Sequence, residues 1–190
     1  MAERGLRTPH QGGRARRRRW PWVLAGLAVV VIVVAVIGGV IFKPWLVFVD
    51  TEIADEIPVA ASGTPASGAP PATPVVLSSG TFISHEHDTT GTVSIIEKPD
   101  GSRILAIENL DTTTGPEVHV WLSAGEVIGG FAGWRTAGGA PRVDLGPIKG
   151  NRGDQVYAVP ATTDLARFPA VVLWCVQFDV SFGAAELRPL

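Results

Sequence analysis

With a single cysteine, Cys175, the chain cannot form an intrachain disulfide. There is no C-x-x-C pair of a thioredoxin-like couple and no C-x-x-C-H haem-attachment motif. Glycine-rich phosphate-binding loops, G-x-S-x-G nucleophile elbows and Asn-x-Ser/Thr glycosylation sites are also missing. Acids are almost absent at the start, where residues 1–19 hold seven arginines against Glu3 alone. Charge then vanishes over the 23 residues from Trp20 to Phe42, WPWVLAGLAVVVIVVAVIGGVIF.

That run is the dominant feature. At about 1.5 Å rise per residue it makes about 35 Å of helix, enough for a hydrocarbon core of about 30 Å. Its many Val and Ile residues favour strands in water. In lipid, however, the backbone of a lone span must bond within itself, so a helix is expected over 20–43. A cleaved signal peptide would need a shorter apolar region and a small-residue cleavage site, and KPWLVFVD offers none. The arginines put the N-terminus on the cytoplasmic side, and Trp20, Trp22 and Trp45 fall where aromatic belts form. The expectation is a single-pass cell-membrane protein with its C-terminal part outside the cytoplasm.

Beyond the span, residues 44–190 hold 17 acids and eight Lys or Arg, a net charge near −9. Such a surface does not suit nucleic acid. Composition divides the chain into a basic tail (1–19), the span (20–43), a stalk and linker (44–75) and a folded domain (76–190). The linker's VAASGTPASGAPPATP has no core-forming pattern. The domain reads as all-β, a small antiparallel sandwich or barrel-like fold. Strands are predicted at 82–84, 91–97, 103–110, 117–123, 154–160 and 171–182. Lys98-Pro99-Asp100-Gly101-Ser102 supplies hairpin chemistry between the second and third. A helical turn is expected near 163–167. Residues 124–143, with six glycines and no period, read as a long loop.

In the last predicted strand, Val172, Trp174, Val176, Phe178, Val180 and Phe182 share one face, which alternation makes the core. Val171, Leu173, Cys175, Gln177, Asp179 and Ser181 share the other. Cys175 is therefore expected off the main core, at an apolar-to-polar boundary. Two readings stay open: an inert buried thiol, or a reachable one serving as nucleophile, redox centre or metal ligand. His85 and His87, with Glu86 and Asp88 beside them, present two imidazoles at strand spacing. That suits copper or zinc, or else an exposed polar loop. His119 is expected on an outer face with Trp121. Arg152-Gly153-Asp154 spells an adhesion tripeptide, although its setting, KGNRGDQ, reads as a turn between strands.

Taken in order, Phe82 with His87, GTVSIIEKPDGSRILAIENL, TGPEVHVWLS, LGPIKGNRGDQVYAVP and VVLWCVQFDVSFGAAEL resemble the DM13 domain over about residues 79–188. That resemblance implies a small extracellular β-rich module described as an electron-transfer domain. It places the family's cysteine on Cys175 and its early histidine on His87, with His119 at a common strand position. His85 is not carried over. The long loop at 124–143 and a Trp at 121, where Tyr is expected, depart from the pattern. The implied candidates are Cys175 as redox atom and His87, His119 and Cys175 as ligands of copper or haem iron. A redox or cell-envelope protein is the implied partner. The rival reading is a non-catalytic surface module in which Cys175 only packs, and a disulfide dimer through Cys175 is a third.

Overall fold

The computed structural model describes residues 20–42, 49–62 and 73–190. The basic tail and parts of the stalk, 43–48 and 63–72, lie outside the described residues. Two compact units result, split between Phe42 and Lys43.

The first unit is the helix α1 (Trp20–Phe42), apolar on every side and without a charge. Its Val and Ile side chains stand outward, with no core to receive them. A helix apolar all round, of this length, can cross a bilayer.

The second unit is all-β, with eleven strands among the described residues: β1 (Glu52–Ala54), β2 (Ala61–Ser62), β3 (Val75–Ser84), β4 (Thr90–Glu97), β5 (Arg103–Asp111), β6 (Val118–Ser123), β7 (Arg142–Pro147), β8 (Arg152–Val159), β9 (Ala170–Cys175), β10 (Val180–Glu186) and β11 (Arg188–Pro189). One path runs β1-β8-β5-β4-β3-β10-β9-β6-β7, and β2 and β11 also pair with β3. β3 is the corner. Its first part, Val75–Thr81, pairs with β4, and Phe82–Ser84 pair with β10, so one strand serves both halves of the curled sheet. The two halves face each other across a core. Val93, Ile95, Leu105, Ile107 and Tyr157 come from one half, and Val118, Val120, Leu122, Val171, Leu173 and Phe182 from the other.

The β4–β5 hairpin forms where the sequence placed it. Lys98 N–H donates to Ser102 O (2.8 Å), and Asp100 Oδ1 accepts from both the Ser102 N–H and hydroxyl. The expected turn near 163–167 is present, with Arg167 N–H donating to Asp164 O.

Three sequence expectations change. The run 171–182 is not one strand: β9 stops at Cys175, residues 176–179 turn, and β10 returns antiparallel with Val180 opposite Cys175. Asp179 takes φ 54°, in the left-handed region, as part of that turn. The polar residues Gln177 and Asp179 therefore mark a turn, not an outer face. Val180 and Phe182 lie in the main core as expected, Val176 and Phe178 are exposed in the turn, and within β9 the core assignment inverts. Val171, Leu173 and Cys175 point into the main core, while Val172 and Trp174 face a second cluster with Trp121, Ala137 and Ala184. A strand buried on both faces has no alternation to read.

The third change concerns the linker. β1 runs parallel to β8, Ile53 opposite Gly153, and β2 runs parallel to β3. Gly153 sits at φ +86°, and a Cβ there would lie 2.0 Å from Ile53 O, so only glycine admits this strand. The Ala/Gly/Pro tract is thus bracketed on both sides by residues paired into one unit. The segment 124–143 also ends in an unforeseen strand, β7, paired with β6.

Candidate functional site

Cys175 closes β9 between Val118 of β6 and Val180 of β10 and is fully buried. The tight turn after it brings the backbone N–H groups of Phe178 and Gln177 to the sulfur, and Glu117 contributes a third. Burial pushes the thiol's pKa up, those three donors pull it back, and the Glu86 carboxylate adds to the rise. The net direction is upward, so Cys175 is a neutral thiol at pH 7. It is not the lowered-pKa thiol that one of the sequence readings required.

The implied metal ligands do not converge. His87 Nε2 contacts Glu86 Oε2 at 2.5 Å, and its ring packs 4.0 Å from that of Phe182. His119 Nδ1 is held by both carboxylate oxygens of Asp144, at 2.8 and 3.0 Å, across the β6–β7 pair. Cys175 sits among aliphatic core side chains. Among the described residues no three His, Cys, Asp or Glu side chains gather as a metal site. Trp121, expected on an outer face, is buried, because the loop between β6 and β7 closes over it.

The histidine that burial selects is His85, which the resemblance did not carry. It follows β3, its N–H donating to Phe182 O. Its Nδ1 lies 2.8 Å from Ser181 Oγ and its Nε2 lies 3.0 Å from Ile128 O. With Nε2–H donating to that carbonyl, Nδ1 accepts from the Ser181 hydroxyl. The ring so pins the long loop to the end of β10. Gly133 permits this: a Cβ there would fall 1.7 Å from Ile128 O and 2.8 Å from His85 Nε2. Nothing in the sequence distinguishes His85 from His87, since both follow the same short strand.

Burial holds the His85 pKa below its ordinary value, and the Ile128 carbonyl opposes this. The unfolded chain, with a histidine pKa of about 6.5, therefore takes up the proton first. Stability is expected to fall as pH drops below about 6.5 and to level off once the folded-state pKa is passed. Urea midpoints at a series of pH values check this. His85→Gln should flatten that step relative to wild type, and an identical pH profile in the two proteins contradicts it.

Arg152-Gly153-Asp154 serves the fold. Arg152 pairs with Asp50 (3.0 Å) and Asp111 (3.3 Å), Gly153 passes Ile53, and Asp154 accepts the Asn109 N–H at 2.8 Å.

A small β-sandwich-like unit with one enclosed thiol, preceded by an apolar helix, defines the class. The family model described as Electron transfer DM13 matches residues 81–187, more than half of the chain, and the chain belongs to the DM13 family. Comparison with curated proteins and with solved structures returned no match.

Proposed function

We propose that this protein is a membrane-anchored electron-transfer domain, held outside the cytoplasm by α1, in which Cys175 is the redox atom. The family description supports electron transfer in general. The observation that carries the assignment to Cys175 is the setting of its sulfur: fully buried, at a strand end, with three backbone N–H groups directed at it. Thiol–disulfide exchange requires one sulfur to touch another, so it needs the 176–179 turn to open first. Electron movement does not require contact with solvent. In the oxidising direction Cys175 gives one electron to an acceptor and its thiol proton to a base, leaving a sulfur radical. No second cysteine exists to trap that radical as an intrachain disulfide, and a returning electron and proton restore the thiol. The arginine-rich N-terminus supports a cytoplasmic tail and an external domain.

The specific observation favouring the rival, a non-catalytic module, is that Cys175 belongs to the main core like any aliphatic residue. Hexachloroiridate(IV), a one-electron oxidant, separates the two. The full chain in detergent is expected to consume more oxidant than Cys175→Ala does, with both folded by circular dichroism. Equal consumption favours the packing reading. For topology, protease added to right-side-out cells should remove the β domain and spare the tail.

A further inference from the structure

We infer that Trp121 and Trp174 form an electron relay linking Cys175 to the protein surface at Arg142, an inference that rests on the redox reading of Cys175. Trp174 is the residue before Cys175 in β9. Its indole stacks on that of Trp121 from the neighbouring strand, centroids 5.0 Å apart and planes 20° from parallel. Both side chains are buried, at 1% and 3% exposure, so the pair is dry. The Arg142 guanidinium covers the far face of Trp121 at 4.0 Å from the ring centroid, and Arg142 itself is exposed. The Cys175 sulfur lies on the opposite face of β9 from the Trp174 indole, so the first step crosses the backbone of the strand itself, and indole, indole and surface cation then follow one another. Electron tunnelling weakens steeply with distance, and two aromatic rings in contact divide one long step into short ones.

Charge gives the relay a direction. A cation over a neutral indole is favourable, but the same cation opposes removal of an electron from that ring. Arg142 therefore makes a hole less stable on Trp121 than on Trp174. Asp179 adds to the difference: its Oδ1 and the outer edge of Trp174 both lie within 3.4 Å of one point, where a Cβ on Gly138 would stand. That carboxylate is shared with Arg135 at 3.5 Å, which tempers its effect. Trp121 Nε1 is buried and has no hydrogen-bond partner among the described residues. An oxidised indole with no acceptor for its N–H proton keeps that proton, so electron return is chemically simple.

The sequence of transfers balances. A one-electron acceptor at the Arg142 face takes an electron from Trp121, and Trp174 refills Trp121. Cys175 then refills Trp174, its thiol proton passing to a buffer base. Both indoles end unchanged. The net reaction is one-electron oxidation of Cys175 and reduction of the acceptor.

The test uses the full chain in nanodiscs with flash-generated ruthenium(III) tris-bipyridine as oxidant and persulfate as the sacrificial quencher. Transient absorption follows the indole radical, and quenched samples are denatured and thiol-tagged to count intact Cys175. Trp121→Phe and Trp174→Phe should each slow Cys175 oxidation at least about tenfold. Arg142→Gln leaves the core untouched and should lengthen the life of the hole on Trp121, slowing delivery to Cys175 severalfold. That surface variant keeps the test decisive if either Phe variant fails to fold. Equal rates of Cys175 oxidation in wild type and the variants overturn the relay and leave Cys175 as the redox atom. An indole radical in wild type with Cys175 intact throughout overturns the Cys175 reading, and with it the relay's destination.

Discussion

A chain beginning at Val76 is expected to be less stable than one beginning at Val49 by about 5 kcal/mol, from several hydrogen bonds at about 1 kcal/mol each. Residues 50–55 hold the edge of the sheet. Thr51 N–H donates to Asn151 Oδ1 (2.7 Å), Asn151 Nδ2 donates to Asp50 (2.8 Å), and Arg152 N–H donates to Thr51 O (3.2 Å). Asp55 accepts from Val156 N–H at 2.8 Å and pairs with Lys149. Removing the segment also strips Ile57 and Ala60 from the small cluster around Ile96, Ile104 and Ala106. It leaves β8 as an open edge, which invites association with a second chain. Urea denaturation of the two chains gives the difference directly. Equal midpoints, with both monomeric by sedimentation, show instead that the segment rests on the domain without stabilising it.

Trp174→Ala is expected to cost about 3–5 kcal/mol, the range for emptying a buried aromatic site. The side chain is 1% exposed, stacks on Trp121, and is approached by Gly138 of the covering loop within 3.0 Å of a Cβ position. Deleting it removes the floor on which the loop after β6 rests, along with Ala137 of that loop. Thermal unfolding checks the magnitude, and near-ultraviolet circular dichroism reads the lost indole pair. A loss under about 1 kcal/mol contradicts the packing described, since it requires the loop to collapse fully into the space. Trp174→Phe keeps most of the volume and should retain most of the stability, which is why it serves the relay test.

Much of this molecule can be read in its residues. The apolar run 20–42 dictates a helix because nothing else satisfies a backbone in lipid. Pro99, Asp100 and Gly101 dictate a hairpin because local hydrogen bonds specify the turn. What failed to read depended on contacts distant in sequence. Cys175 looked peripheral because Gln177 and Asp179 follow it with strand-like spacing, yet the turn over 176–179 ends the strand there. Both faces of β9 are buried, so alternation carries no information about which side is the main core. Ile53 joins the sheet through a pairing 100 residues away, which no local pattern announces. Of the candidate site, Cys175 was legible from the family pattern, and its enclosure was not. His87 and His119 were legible as histidines in or beside strands, but their carboxylate partners, Glu86 and Asp144, claim them. His85 and the Trp121–Trp174 stack became visible only once β6, β9 and β10 were laid side by side.

The most direct test of the central claim is the state of Cys175 in the intact, folded protein under one-electron oxidation. The full chain is exposed to graded hexachloroiridate(IV), quenched, denatured, tagged with a thiol-specific mass label and weighed. Taggable Cys175 is expected to be lost progressively while the native circular dichroism persists, and prompt reductant to restore the tag. Cys175 remaining fully taggable at every oxidant concentration that leaves the fold intact contradicts it.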